Sequence, residues 1–188
     1  NSTAIDPTLA IHEALLRSRK GQGRAGVVDY IDHMPVGEQR SAKTAWSDVS
    51  APGDDEAYYQ AFDKIIETVS AMRDAGILLV PGTDMGGSFV YHRELELYEQ
   101  VGMTAPEILA WATQGMADYV GQSDRLGSIE ERKLADFFLI PGDPTQDLKA
   151  IKTISMVVKD GTVYFPSEIY PSFGIRPFVD APRIEGPE

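Results

Sequence analysis

A chain of 188 residues, 43% of them hydrophobic, is long enough for one domain with a real core, with or without an appendage. A formal net charge of -12 argues against nucleic-acid phosphates and against an anionic membrane surface as partners. Cysteine is absent, which excludes disulfides, thiol catalysis and cysteine-held metal, and no apolar run reaches bilayer-spanning length.

No signal peptide, internal repeat or low-complexity segment stands out. The chain opens Asn1-Ser2 without an initiator methionine, so the expectation is a processed chain or a piece of a longer one.

Thr3 to Leu9 has the form of a strand end running into a Pro7-Thr8 turn. Pro7 to Arg19 is then expected to be helical, with Ile11, Ala14, Leu15 and Leu16 near one face. Arg17, Arg19 and Lys20 fall in the last turn, where the helix dipole favours cations, and Gly21 stops it. Those cations are expected to be a solvated helix end. Gly21 to Asp55 shows no sustained period, and Pro35, Gly37, Pro52 and Gly53 make it a loop-rich lid or connection. Within it Val27 to Ile31 fits helix or extended chain, and Asp32-His33 fits a surface pair or a ligand pair.

Asp54, Asp55 and Glu56 place negative charge at a helix start. Tyr58, Ala61, Phe62, Ile65, Ile66, Val69 and Met72 follow at helical spacing, and Gly76 ends the helix. Ile77 to Val80 is a short, unbroken apolar run closed by Pro81 and Gly82. Such a run suggests a strand buried on both faces of a parallel sheet. Helix, short turn and strand together form the second half of a right-handed βαβ unit.

Asp84 lies just past that strand, on a loop with Gly86 and Gly87. In parallel α/β folds, catalytic groups collect at the carboxyl ends of strands. Asp84 is therefore a candidate catalytic residue, or else it closes a turn through an Asx bond. His92 to Val101 is expected to be helical, with Leu95, Tyr98 and Val101 inward and Glu94, Glu96 and Glu99 on a solvated face. His92, near the start of that helix, either faces the same cavity as Asp84 or hydrogen-bonds a helix end.

Thr104-Ala105-Pro106-Glu107 is a capping box. It launches a helix whose face is Ile108, Leu109, Ala112, Met116, Tyr119 and Val120, ending at Gly121. From about Arg125 the character changes to strands at Ala135–Ile140, Ile154–Val158 and Thr162–Phe165. Asp160-Gly161 is a hairpin turn. The proline-rich segment from Pro166 is expected to lie extended.

Taken in order, these motifs resemble a known family. They are Pro81-Gly82-Thr83-Asp84, His92-Arg93-Glu94-Leu95-Glu96-Leu97 and Gly102-Met103-Thr104-Ala105-Pro106-Glu107-Ile108-Leu109 with Ala112-Thr113. Asp124-Arg125-Leu126-Gly127-Ser128-Ile129, Lys133-Leu134-Ala135-Asp136-Phe137 and Val158-Lys159-Asp160-Gly161 continue the series. The series resembles the C-terminal part of a metal-dependent amidohydrolase, in the branch holding imidazolonepropionase-like and prolidase-like enzymes. Asp6-Pro7-Thr8-Leu9 is similar to the segment after the seventh barrel strand in that branch. Arg132 departs from the pattern, at a turn where the family has glycine.

The resemblance implies an α/β fold: the last units of a partial (β/α)8 TIM barrel, then antiparallel strands of a small β-sandwich. It divides the chain into barrel units at 1–124 with a loop-rich insertion at 21–55, sandwich strands at 125–165, and an extended tail at 166–188. Ile77 to Val80 would be the eighth barrel strand. Asp84 would be the carboxylate at its tip that binds a divalent metal, zinc being expected, and moves the proton of the attacking water. His92 would face the substrate. The substrate would be a small molecule with an amide-like C–N bond.

The family's remaining ligands, a His-x-His pair among them, have no counterpart in His12, His33 or His92. One acid does not hold a catalytic zinc, which needs about three protein ligands. The chain is therefore expected to be an inactive C-terminal portion that binds no metal tightly and self-associates to cover its open sheet edge. The alternative is a non-catalytic accessory module derived from such an enzyme. A carboxylate pair, Asp84 with Glu94 or Glu96, is a third and weaker reading.

Overall fold

A computed structural model describes residues 3–184. The chain divides into two compact units. The first runs up to Asp32 and from Val36 to Ile108; the second takes His33–Pro35 and the chain from Leu109 onward.

In the first unit, β1 (Ala4–Ile5) leads into α1 (Leu9–Arg17). A 3₁₀ turn (Ile31–His33), whose last residue belongs to the second unit, and α2 (Val36–Ser41) follow, so the 21–55 segment carries short helical structure among its turns. Next come α3 (Asp54–Asp74), β2 (Leu78–Leu79) and α4 (Ser88–Gln100). α1 packs against both α3 and α4. The two strands pair in parallel, Ala4 with Leu78 and Ile5 with Leu79.

The negative start of α3 is as expected, and so is its end. Gly76 takes a φ of 73°, Gly76 N–H donates to Arg73 O, and Ile77 N–H donates to Met72 O. Those two bonds satisfy carbonyls that the helix leaves open, and only glycine takes this backbone turn cheaply. β2 departs from the expectation of burial on both faces. Leu79 is 5% exposed but Leu78 is 40% exposed. Its one strand neighbour among the described residues is β1, so its other edge stays unpaired.

α1 starts and turns differently from its sequence pattern. Its buried residues are Leu9, Ala10, Glu13 and Ala14, whereas Leu15 is exposed. Of the expected face of Ile11, Ala14, Leu15 and Leu16, only Ala14 is buried, and the buried stripe is rotated toward Glu13. The reason is a buried ion network. Arg93 grips Glu13 through two bonds of 2.9 and 2.6 Å and reaches Glu96 at 3.0 Å. Burial works against the Arg93 charge, but Glu13 and Glu96 overcome it and hold the guanidinium above its ordinary pKa. Glu96 is therefore not on a solvated face; of the three glutamates so placed, only Glu99 is exposed.

Glu94 is 0% exposed. Its carboxylate accepts Leu9 N–H at 3.0 Å and Ala10 N–H at 2.6 Å. The first amides of a helix have no partner within it, and the N-cap Thr8 gives α1 no side-chain bond. The cap comes instead from α4, 85 residues away along the chain.

The cations at the end of α1 are not a solvated end either. Arg19 is buried, bonds Asp55 and lies 4.6 Å over the Tyr59 ring. Arg17 pairs with Asp63 and lies 4.5 Å over Phe62. Both tie α1 to α3 through cation–π contacts, and only Lys20 stays in water.

The Thr104 capping box forms as expected, with Glu107 accepting the Thr104 N–H at 2.7 Å and its hydroxyl at 2.8 Å. It opens α5 (Ala105–Ala110). A π turn (Trp111–Gly115) then precedes α6 (Met116–Tyr119). The wider π turn rotates less per residue and so delays the helical phase; Ala117 is buried while Tyr119 and Val120, expected inward, are exposed.

In the second unit, β3 (Phe137–Leu139), β4 (Met156–Lys159) and β5 (Thr162–Tyr164) form an antiparallel sheet in that order. Asp160 and Gly161 have φ of 49° and 73°, the left-handed pair that a tight hairpin requires. Arg132 also sits at a positive φ, 75°, which accounts for glycine at the matching position of the resembling family. The segment after Tyr164 is not extended at first. It forms α7 (Pro166–Ile169), with proline in its first turn, and a 3₁₀ turn (Tyr170–Phe173). The last four residues of the expected 166–188 tail lie outside the described residues.

The Glu94 cap yields a pH prediction. Burial raises its pKa to about 7, and the two backbone bonds only partly oppose this. The folded state then keeps a proton that the unfolded chain releases at lower pH. Stability should fall as pH rises from about 5 to 8, by on the order of 2–3 kcal/mol from this group. Chemical denaturation of Glu94→Gln across that range should show the slope removed. An unchanged slope would mean Glu94 is not its source.

Candidate functional site at the ends of the parallel strands

β1 and β2 run in parallel and end together. Val80 N–H donates to Ile5 O at 2.9 Å, the last bond between them. Beyond it each strand delivers an acid: Asp6 directly after β1, and Asp84 after Pro81-Gly82-Thr83. This is the end of a parallel sheet where ligands bind.

Asp84 is exposed and has a φ of 47°. Left-handed backbone is unfavourable for most residues with a side chain, and aspartate adopts it more readily than most. Thr83 braces the turn here: its hydroxyl donates to Met85 O and accepts Met85 N–H at 3.1 Å. On the other side, the Asp6 carboxylate lies against Gly82 and accepts Thr8 N–H at 3.3 Å.

His92 is the fifth residue of α4, in its second turn, and not at its start. Its ring packs edge-on to Phe89, which itself stacks on Tyr30 at 4.7 Å. Glu94 and Glu96 are buried and committed, the first to the amides of α1 and the second to Arg93. Neither is available to form an acid pair with Asp84 across a substrate. Asp32 is exposed, and His33 stacks on Phe178 at 3.9 Å while its Nδ1 lies 2.8 Å from Arg176 O. His33 thus packs and hydrogen-bonds against the segment around Arg176 and Phe178.

No three His, Asp or Glu side chains are gathered as a metal cage among the described residues. The residues present do not by themselves fit a metal centre. A cleft of about 540 Å³ lies in the second unit, lined by Val120, Ile129 and Phe138 among others. It carries neither Asp84 nor His92.

Sequence reasoning named Asp6, Thr83 and Glu94 but missed the contacts they make. For Asp6 the available signal was its place, one residue past a strand end. Thr83 had none beyond its position before Asp84. Glu94 had an adjacent arginine and a helical phase beside Leu95, which together favour an inward carboxylate.

Comparison with known proteins adds a family. The pattern of the amidohydrolase family matches residues 25–164. An imidazolonepropionase from Cupriavidus necator is 28% identical over 150 residues, which are 75% of this chain and 35% of that protein. Among solved structures, a Xaa-Pro dipeptidase with bound methionine in its active site superposes with a TM-score of 0.60 at 22% identity. That match covers 87% of this chain and 34% of the dipeptidase. A putative prolidase from Bifidobacterium longum gives a TM-score of 0.55 at 23% identity, covering 86% of this chain and 35% of its own. This chain thus spans about a third of the length of these relatives, whose folds it shares in part. It belongs to the amidohydrolase family.

Proposed function

We propose that this chain is the C-terminal portion of a metal-dependent hydrolase of C–N bonds, with Asp84 as its proton-transferring carboxylate. The observation that carries this reading is an exposed acid held in left-handed backbone at the carboxyl end of a parallel strand. Family membership supports the reaction class. Coverage of about a third of the relatives supports a portion that is inactive alone.

In this reading β1 and β2 are the last two strands of a (β/α)8 barrel, and the sheet of β3, β4 and β5 belongs to a small β-sandwich. The metal, with zinc the leading candidate, takes its other ligands from outside this chain. Asp84 accepts a proton from the attacking water and returns it to the leaving nitrogen, as a general base and then a general acid. His92 borders the substrate. The names of the relatives support a small amide-like substrate, cyclic or a dipeptide.

The same reading accounts for the uncovered apolar surface of β2. Ile77 and Leu78 are both about 40% exposed, as a strand would be when its neighbours lie outside the chain. Alone, the chain should self-associate to cover that edge. A non-catalytic module is the second reading, favoured by the lack of a metal-ligand group among the described residues. A His-x-His pair in the preceding sequence would exclude it.

Two predictions follow from this assignment. Asp84→Asn in the full-length enzyme should keep the fold and lose turnover, since an amide cannot accept the proton. Activity within a few-fold of wild type would remove Asp84 from the mechanism. Sedimentation of this chain should show a dimer or larger species that dissociates when Leu78 is changed to Lys. A monomer at all concentrations would contradict the account of the exposed edge.

A further inference from the structure

We propose that Thr83 and Asp6 are positioning residues that hold Asp84 in its left-handed turn. This rests on the assignment of Asp84 as the reacting carboxylate and adds what fixes it in place.

A hydroxyl is both donor and acceptor, and Thr83 uses both functions on one residue. It gives its hydrogen to Met85 O and takes the Met85 N–H at 3.1 Å. Those two bonds flank Asp84, whose φ is 47°. The hydroxyl therefore bridges the residue it must hold and limits the turn to one conformation. Serine can make the same pair of bonds. Valine, of the same shape, can make neither.

Asp6 sets the path of the chain just before this turn. A Cβ built on Gly82 would overlap the Asp6 carboxylate and lie 2.6 Å from its Cγ. Gly82 is not among the positive-φ glycines, so contact and not backbone conformation demands glycine there. Asp6 is itself fixed, because Ile5 pairs with Leu79 and Asp6 Oδ1 accepts Thr8 N–H. The tip of one strand thus places the tip of the next. A carboxylate that must meet both a water and a leaving nitrogen needs this precision, since misplacement by about 1 Å can cost on the order of 100-fold in rate.

The test has a structural and a kinetic arm. In this chain, amide exchange at Met85 and the three-bond amide–Hα coupling of Asp84 report the turn directly. Thr83→Ser should preserve both, and Thr83→Val should lose Met85 protection by at least about tenfold. In the full-length enzyme, Thr83→Val should lower kcat by about 10–100-fold with KM little changed, and Thr83→Ser should restore most of the rate. Gly82→Ala and Asp6→Ala should each lower kcat as well, the first by displacing the chain before the turn and the second by removing the group that the chain at Gly82 lies against. Should Thr83→Val fail to fold, the Gly82 and Asp6 pair decides. Wild-type kcat in Thr83→Val or Gly82→Ala, while Asp84→Asn is inactive, would overturn positioning and leave the Asp84 assignment standing. An active Asp84→Asn would overturn both.

Discussion

The architecture of the first unit depends on a carboxylate that caps a helix it does not belong to. Glu94 of α4 takes the first two amides of α1, which has no side-chain cap of its own. Leaving those buried N–H groups unsatisfied would cost about 1–3 kcal/mol each. One residue earlier, Arg93 grips Glu13 one turn further along α1. The two adjacent residues act as a two-point clamp between helices. Removing one partner of such a buried ionic group costs about 3–5 kcal/mol, because the other charge is left without compensation. The clamp is thus worth more for the geometry it specifies than for net stability.

That geometry reaches the site. α1 follows β1 and α4 follows β2, so fixing the helices against each other fixes the strands in parallel register. The register brings Asp6 and the Asp84 turn to the same end of the sheet. There Asp84 sits in left-handed backbone braced by Thr83, and two acids follow neighbouring strands. In the proposed function, the clamp stabilises the scaffold that carries the Asp84 turn.

Much of this was legible in the sequence where the signal is local. The Thr104 box, the Asp160-Gly161 hairpin, the Gly76 stop and the apolar run at Ile77 each depend on neighbours a few residues away. The ordered motif series likewise pointed to the family. What failed depends on partners far along the chain. Glu94 and Glu96 look like a solvated face until Leu9, Ala10 and the Arg93 network are placed against them. Arg17 and Arg19 look like a wet helix end until α3 supplies its aromatic rings. The exposure of Tyr119 and Val120 follows from one π turn, which apolar periodicity cannot reveal because it assumes constant phase. At the site, Asp84 was conspicuous as an acid beside a strand end. Thr83 was not, because its importance lies in a hydroxyl that bonds backbone two residues on. Pro166 did carry a helix-start signal, outweighed in the sequence reading by the density of prolines after it.

The account holds that this chain contributes one acid to a metal centre whose other ligands lie elsewhere. The most direct test is calorimetric titration of zinc into this chain alone. The account predicts weak, substoichiometric heats and no dependence on Asp84. A tight one-to-one site lost in Asp84→Asn would contradict it, because the described residues would then form a metal cage on their own.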